Sequence, residues 1–234
     1  MIPFKDENPT RTFPILTVLI IAANVLVFLR QQTLPHGGAF IFGAVPGHIV
    51  FGNNYGVPML EPGWLTIFTS MFMHGGWLHL GGNMLFLWIF GNNIEELLGR
   101  FKFIIFYLVC GVAAAGLQIM MSLSPQAAAV PMVGASGAVA GVLGAYFIKY
   151  PTARVRTLIF WFFIQVVVLP AYIVLGLWFI IQFFSAMLNT AAGMSGGGVA
   201  FFAHVGGFIA GMVLVNPFIG KFKRTRRISR NWLQ

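Results

Sequence analysis

Charge is what this 234-residue sequence has least of. Asp, Glu, Lys and Arg occupy only 8% of positions, against 58% hydrophobic, where soluble domains carry about 25% charged and 45–50% apolar residues. One soluble core cannot bury that excess, so the chain reads as an integral membrane protein. Acidic residues are the scarcest: one aspartate, Asp6, and the glutamates Glu7, Glu61, Glu95 and Glu96. A single aspartate argues against an intramembrane aspartyl protease, and the absence of H-E-x-x-H against that class of zinc enzyme. The one cysteine, Cys110, forbids an internal disulfide and offers no metal cluster. No metal and no cofactor is expected. The formal charge of +9 does not point to nucleic acid, because the basic residues form no folded basic face. They cluster between apolar runs, which is a topology signal. No internal repeat is evident, which counts against a transporter built from inverted halves.

What the chain has instead is long apolar runs. A spanning helix needs about 20 apolar residues, within a range of roughly 17–25. Six runs fit, at about Phe13–Leu29, Trp77–Leu98, Phe103–Leu123, Gly134–Tyr150, Ala171–Leu188 and Val199–Ile219. The polar N-terminus precedes a run without a small-residue cleavage site, so that run reads as an uncleaved first span. Residues 30–76 are interrupted by glycines and read as a large loop lying in the interface. Thr157–Leu169, cut off by Pro170, reads as an interfacial or re-entrant segment. With both termini inside, thirteen of the fourteen basic residues fall on the cytoplasmic side and only Arg30 outside, as the positive-inside bias requires. The expected fold is an all-α membrane protein of six transmembrane helices with a large outer loop between helices 1 and 2. Residues 1–12 form a cytoplasmic segment, 13–219 the membrane domain, and 220–234 a basic cytoplasmic tail that meets anionic headgroups.

Polar side chains inside spans are costly and mark function. Three groups stand out: His79 and Asn83 on span two, Ser136 on span four and His204 on span six. At about 1.5 Å per residue, Ser136 lies about 20 Å above Lys149, while His204 and Asn83 lie about 25 Å above Lys221 and Arg100. These are compatible depths in the outer half of a hydrocarbon core about 30 Å thick. Span four carries Ser136, Ala140 and Gly144 at intervals of four, with Gly137 and Gly141 beside them; span six carries His204, Gly207 and Gly211. Such stripes let membrane helices approach backbone to backbone, which would bring an imidazole to a serine hydroxyl and activate it. A helix starting near Ser136 would also aim its first N–H groups and positive dipole end at an oxyanion, and Asn83 can add a donor. No carboxylate reaches His204 at that depth except Glu61 through the outer loop, so a Ser–His dyad is expected rather than a triad. His36 and His48 read as exposed loop residues, His74 as a brace of the outer loop, and Glu95, Glu96 and Arg100 as makers of cytoplasmic contacts.

The stretches HGGWLHLGGNM (His74–Met84), GASGAVAG (Gly134–Gly141) and AHVGGFIAG (Ala203–Gly211) resemble the rhomboid intramembrane serine proteases, in the same order and on spans two, four and six. The resemblance covers residues 13–219. It implies Ser136 as nucleophile and His204 as general base, with His79, Asn83 and the Ser136 backbone N–H supporting the oxyanion. It further implies single-span transmembrane protein substrates, met in the lipid bilayer and cut near the outer membrane surface. Access would involve span five and the following NTAAGMSGGG, and the compact core would suit a bacterial plasma membrane. Two departures stand out. Ala140 occupies the position four after the serine where many members have an aromatic, so another ring, Phe201 or Phe202, is expected against His204. Thr66 follows Trp64 where many members have a Trp-x-Arg arginine. The alternative function is a non-proteolytic rhomboid-like protein that binds transmembrane clients; such proteins typically lose the serine or histidine, and both are present here.

Overall fold

A computed structural model describes residues 1–52, 55, 58–160, 163–191 and 200–219. The tail expected at 220–234 and most of the NTAAGMSGGG stretch lie outside the described residues. The longer helices are α1 (Ile15–Gln31), α2 (Trp77–Leu98), α3 (Arg100–Met120), α4 (Ser136–Lys149), α5 (Ala171–Ala191) and α6 (Phe201–Ile219). Three stretches are long and apolar enough to cross a membrane, Arg100–Met120, Ala171–Leu188 and Phe201–Ile219; α1 and α4 are shorter and apolar. The protein is an integral membrane protein with a mostly helical fold.

Residues 30–76 are a chain of short elements rather than one loop. They hold the single turns Pro35–Gly38 and Gly63–Leu65 and the short helices Ala39–Phe42, Pro46–Phe51 and Thr66–Ser70. His48, expected to be exposed, is buried. Its ring covers Gly63, where a Cβ would lie 2.7 Å from His48 Cδ2, and its Nε2 lies 3.2 Å from Glu61 Oε1. Glu61 is thus engaged within its own segment. Gln31, at the end of α1, clamps the backbone of His74 from both sides: its Nε2 donates to His74 O at 2.8 Å and its Oε1 accepts from His74 N at 2.9 Å.

The expectation of an all-α fold needs correction. Residues 154–170 form a β-hairpin, β2 (Arg154–Phe160) and β3 (Ile164–Pro170), in register from Arg154↔Pro170 to Phe160↔Ile164. The N-terminal β1 (Ile2–Asp6) pairs with β2, Ile2 opposite Leu158 and Asp6 opposite Val155, giving an antiparallel sheet ordered β1-β2-β3. The β-branched Val155, Thr157, Ile159, Ile164, Val166, Val167 and Val168 favour strands. Alternation is confined to Arg154–Thr157; from Leu158 to Leu169 every residue but Gln165 is apolar, so the period-2 signal of a strand is lost there and the segment reads as interfacial or re-entrant. Phe163, Ile164 and Val166 are exposed.

Acidic groups tie the start of α1 and the sheet to the C-terminal part of α2. Pro14 precedes α1 and supplies no side-chain cap, which leaves the first N–H groups of the helix without partners. The buried Glu95 of α2 takes them: Leu16 N donates at 3.0 Å, Thr17 N at 2.7 Å and Thr17 Oγ1 at 2.8 Å. Negative charge is also favourable at a helix N-terminus. Glu96 accepts from Arg11 N at 3.0 Å. Asp6 ties the sheet to the bundle, accepting from Tyr146 Oη at 2.7 Å and from Asn93 Nδ2 at 2.9 Å. Between α2 and α3 the chain turns at Gly99, whose φ of 78° lies where a side chain is strained.

Glu95→Ala is expected to lower the unfolding free energy by about 3 kcal/mol, because charge-assisted acceptors are lost and α1 donors stay buried; thermal unfolding in detergent checks this. Burial pushes the Asp6 carboxyl above its ordinary value of 3.8, outweighing the Tyr146 and Asn93 hydrogen bonds. A carboxyl raised on folding binds its proton more tightly in the native state, so stability should fall as pH rises from that ordinary value through the raised one. Asp6→Asn should flatten the slope in that window, measured by unfolding across acidic pH.

Candidate active site

Ser136 is the first residue of α4, and Gly134 shapes the turn before it. Gly134 has φ 138°, a conformation side chains rarely adopt, and its N–H donates to Ser70 O at 2.9 Å. A Cβ at Gly134 would lie 3.0 Å from His79 Nε2 and 3.3 Å from Ser136 Oγ. One glycine α-carbon is therefore flanked by a ring nitrogen from α2 and the hydroxyl from α4. Any larger residue would fill the space between them.

His79 receives a hydrogen bond on Nδ1 from Gly75 N at 3.3 Å. In a neutral ring that leaves the proton on Nε2, the nitrogen beside Gly134. Asn83, one turn along, donates from Nδ2 to His79 O at 3.0 Å, which uses one of its two amide hydrogens. At the start of α4 the N–H groups preceding Val139, whose own N–H bonds Ala135 O at 2.9 Å, have no carbonyl one turn back. A cavity of about 30 Å³ lies against this start, lined by Ser70, Met71, Gly134, Ser136, Gly137 and Ala203. That volume is about one water molecule's share. A larger cavity of about 590 Å³ lies elsewhere, between the N-terminal segment and α2, lined by Phe4, Asp6, Glu7, Trp88, Asn92 and Arg156; none of the expected catalytic residues faces it.

α4 and α6 meet backbone to backbone. A Cβ at Gly207 would lie 2.0 Å from Gly137 O, at Gly211 1.9 Å from Gly141 O, and at Gly144 2.0 Å from Phe208 O. The seam on α4 therefore runs through Gly137, Gly141 and Gly144, with Ala140 beside it, rather than along the Ser136–Ala140–Gly144 row. Small residues at such a seam permit the approach. Gly137, next to Ser136, also faces Ala203, next to His204, at 3.6–3.7 Å from its virtual Cβ.

His204 is buried. Its Nδ1 lies 2.6 Å from Gln182 Oε1 on α5, and among the described residues its Nε2 has no hydrogen-bond partner. The ring expected against it is Phe201, edge-on at 6.2 Å and 87°. A second ring is Trp178 of α5, at 5.7 Å and 36°. Trp178 and Gln182 went unnoticed in the sequence. The available signal was an amide four residues after a tryptophan, one helical turn, in a span of otherwise mainly apolar residues. His74, outside the long helices, packs at 5.2 Å from the His79 ring. Burial first, and His79 second, hold its imidazole down at about 4, so His74 is a neutral packing element.

The Rhomboid domain family profile matches residues 61–221, well over half of the chain. The chain belongs to the rhomboid family. Similar proteins include Rhomboid protein 1, mitochondrial, of Saccharomyces cerevisiae, 31% identical over 71% of this chain and 45% of that protein. Rhomboid protease GluP of Bacillus subtilis is 30% identical over 61% of this chain and 25% of its own length. Rhomboid-like protein 11, chloroplastic, of Arabidopsis thaliana is 33% identical over 66% and 52%. The chain thus spans a quarter to about half of these relatives' lengths. The family includes proteases, as the name of the Bacillus protein states, and the stretches GASGAVAG and AHVGGFIAG of this chain contribute Gly134, Ser136, Gly137 and Ala203 to the lining of the small cavity.

Gly211→Ala should destabilise the rhomboid bundle by about 2 kcal/mol or more, since its Cβ has to displace backbone. Gly82→Ala, whose Cβ meets nothing within 4 Å, should be neutral or gain up to about 1 kcal/mol. Thermal unfolding of the two variants checks the contrast.

Proposed function

We propose that this rhomboid is an intramembrane serine endopeptidase that cuts single-span transmembrane substrates near the outer membrane surface. The observation that carries this reading is the clustering of Ser136 Oγ and His79 Nε2 around Gly134, beside a seam that brings α6, the helix carrying His204, to the same helix; among the described residues His204 Nε2 has no hydrogen-bond partner. In the proposed reaction His204 Nε2 takes the Ser136 proton as Oγ attacks the scissile carbonyl carbon. The carbonyl oxygen becomes an oxyanion, met by the Ser136 N–H, His79 Nε2–H and the second Asn83 amide hydrogen. His204 then gives its proton to the departing amine. Water, deprotonated by the same nitrogen, hydrolyses the acyl-enzyme and frees Ser136.

The topology that suits this chemistry has six spans, both termini cytoplasmic, and residues 30–76 forming the large outer segment between the first two spans. The 14 residues of α4 span about 21 Å, less than a hydrocarbon core of about 30 Å. With Lys149 at the inner boundary, Ser136 therefore sits below the outer surface in a hollow that water can reach. Residues 13–219 then form the membrane domain between a short cytoplasmic segment and a basic tail, and a bacterial plasma membrane is the proposed location. A substrate helix must unwind to expose its peptide bond, which favours substrates with Gly or Pro near the cut.

Purified wild type should cleave a model single-span substrate, and Ser136→Ala should lose about a thousandfold or more of that turnover. A fluorophosphonate probe should label the wild type and not Ser136→Ala. Equal turnover in the two proteins ends the protease reading. Absence of labelling together with binding of transmembrane clients supports the non-proteolytic alternative. A base must be neutral to accept a proton, so the rate should fall toward acid as His204 is protonated; a rate with no acidic limb above the denaturation range contradicts its role.

A further inference from the structure

Gln182 meets the site from a helix of mainly aromatic and aliphatic residues. An amide in an apolar setting is costly unless hydrogen-bonded, and its Oε1 contacts one atom of the site, His204 Nδ1, at 2.6 Å. A carbonyl oxygen can only accept, so this contact requires Nδ1 to carry the ring proton. A neutral imidazole with hydrogen on Nδ1 has its free lone pair on Nε2, the nitrogen without a hydrogen-bond partner among the described residues. The opposite tautomer would put a hydrogen on Nε2 and leave it unable to accept one from a serine. Which nitrogen is bare therefore decides whether the ring can act as a base.

We propose that Gln182 is the positioning residue for His204: by accepting from Nδ1–H it fixes the tautomer whose Nε2 receives the Ser136 proton. The inference rests on the reading of Ser136 and His204 as nucleophile and base. It extends the expected Ser–His dyad to a Ser–His–Gln arrangement in which an amide fills the orienting place of the carboxylate in serine-protease triads. Trp178 completes the arrangement. It precedes Gln182 by four residues, so both side chains leave α5 on one face. Trp178 then packs against the ring while Gln182 holds its edge, with Phe201 edge-on from α6. An amide also suits the surroundings. It orients the ring without placing a negative charge in a low-dielectric site, and among the described residues the titratable group whose field reaches His204 is His79 of α2.

Gln182→Met preserves length and removes the acceptor, whereas Gln182→Glu preserves the acceptor and adds charge. Nitrogen-15 NMR of the full chain, labelled at histidine, reads the His204 tautomer directly. Wild type should show Nδ1 protonated and Nε2 bare, and Gln182→Met should show a mixed or reversed tautomer. With the single-span substrate, Gln182→Met should lose about a hundredfold in kcat with KM nearly unchanged. Gln182→Glu should recover most of that loss. It should also move the acidic limb of the rate to higher pH, because a carboxylate stabilises the imidazolium and keeps the base protonated further up the scale. A wild-type ring with hydrogen on Nε2, or Gln182→Met with an unchanged tautomer, overturns the proposal. If Gln182→Met does not fold, an acidic limb left unmoved by Gln182→Glu overturns it alone. The spectrum requires no turnover: absence of fluorophosphonate labelling removes the protease reading, while the tautomer still reports on Gln182.

Discussion

The contact between the backbones of α4 and α6 is the constraint on which the rest of the bundle depends. Gly137 and Gly141 offer carbonyl oxygens where Gly207 and Gly211 have no side chain, and Gly144 leaves room for Phe208 O. In a bilayer, lipid tails are as apolar as leucine, so helices gain nothing from hiding leucine from lipid. Packing closeness and interhelical polar contacts must hold them instead. The seam supplies the closeness, and it puts the first turn of α4 next to the first turn of α6. Every residue from Gly137 to Tyr146 is buried, so α4 is enclosed by the other elements and its N-terminus is held in place.

Polar groups are few, and those at the joints are matched. Glu95 takes the N–H groups at the start of α1, Asp6 gathers Tyr146 and Asn93, and Glu7 pairs with Arg154 and Arg156. The last pairs are partly exposed and add little; the Glu95 contacts are buried and those of Asp6 part-buried, where removing a partner is expensive. The amides follow the same logic at the other end of the helices. Gln31 fixes the segment before α2, Asn83 bonds back to His79, and Gln182 meets His204. A sequence with so little charge can use each polar side chain to set one angle or one approach.

Much of this was legible in the primary structure because it is local. Helix α2 runs over Trp77–Leu98, the bounds its apolar run predicts, and α4 begins at Ser136, within two residues of the start expected near Gly134. The glycine pattern announced a seam, but its register came out one position away, through Gly137 and Gly141 instead of Ser136. Periodicity identifies a face, and only the partner helix selects among neighbouring rows. The hairpin was misread for a related reason. Beyond Thr157 its residues are apolar on both faces apart from Gln165, and the strand that pairs with it is formed by residues 2–6, about 150 positions earlier. His48 was misread because its burial comes from Gly63 and Glu61, which fold back over it.

By itself the sequence determined the membrane class, the helices, and the presence of a serine, a histidine and an asparagine on three separate helices. These follow from hydropathy, from 3.6-residue periodicity and from the cost of placing polar atoms in lipid. Tertiary structure alone decided what meets what: Glu95 under the start of α1, His79 Nε2 and Ser136 Oγ on either side of Gly134, and Gln182 on His204. Those contacts join residues from different helices. They depend on helix rotation and depth, which no local pattern encodes, because a glutamine in an apolar helix looks the same whether or not a histidine faces it.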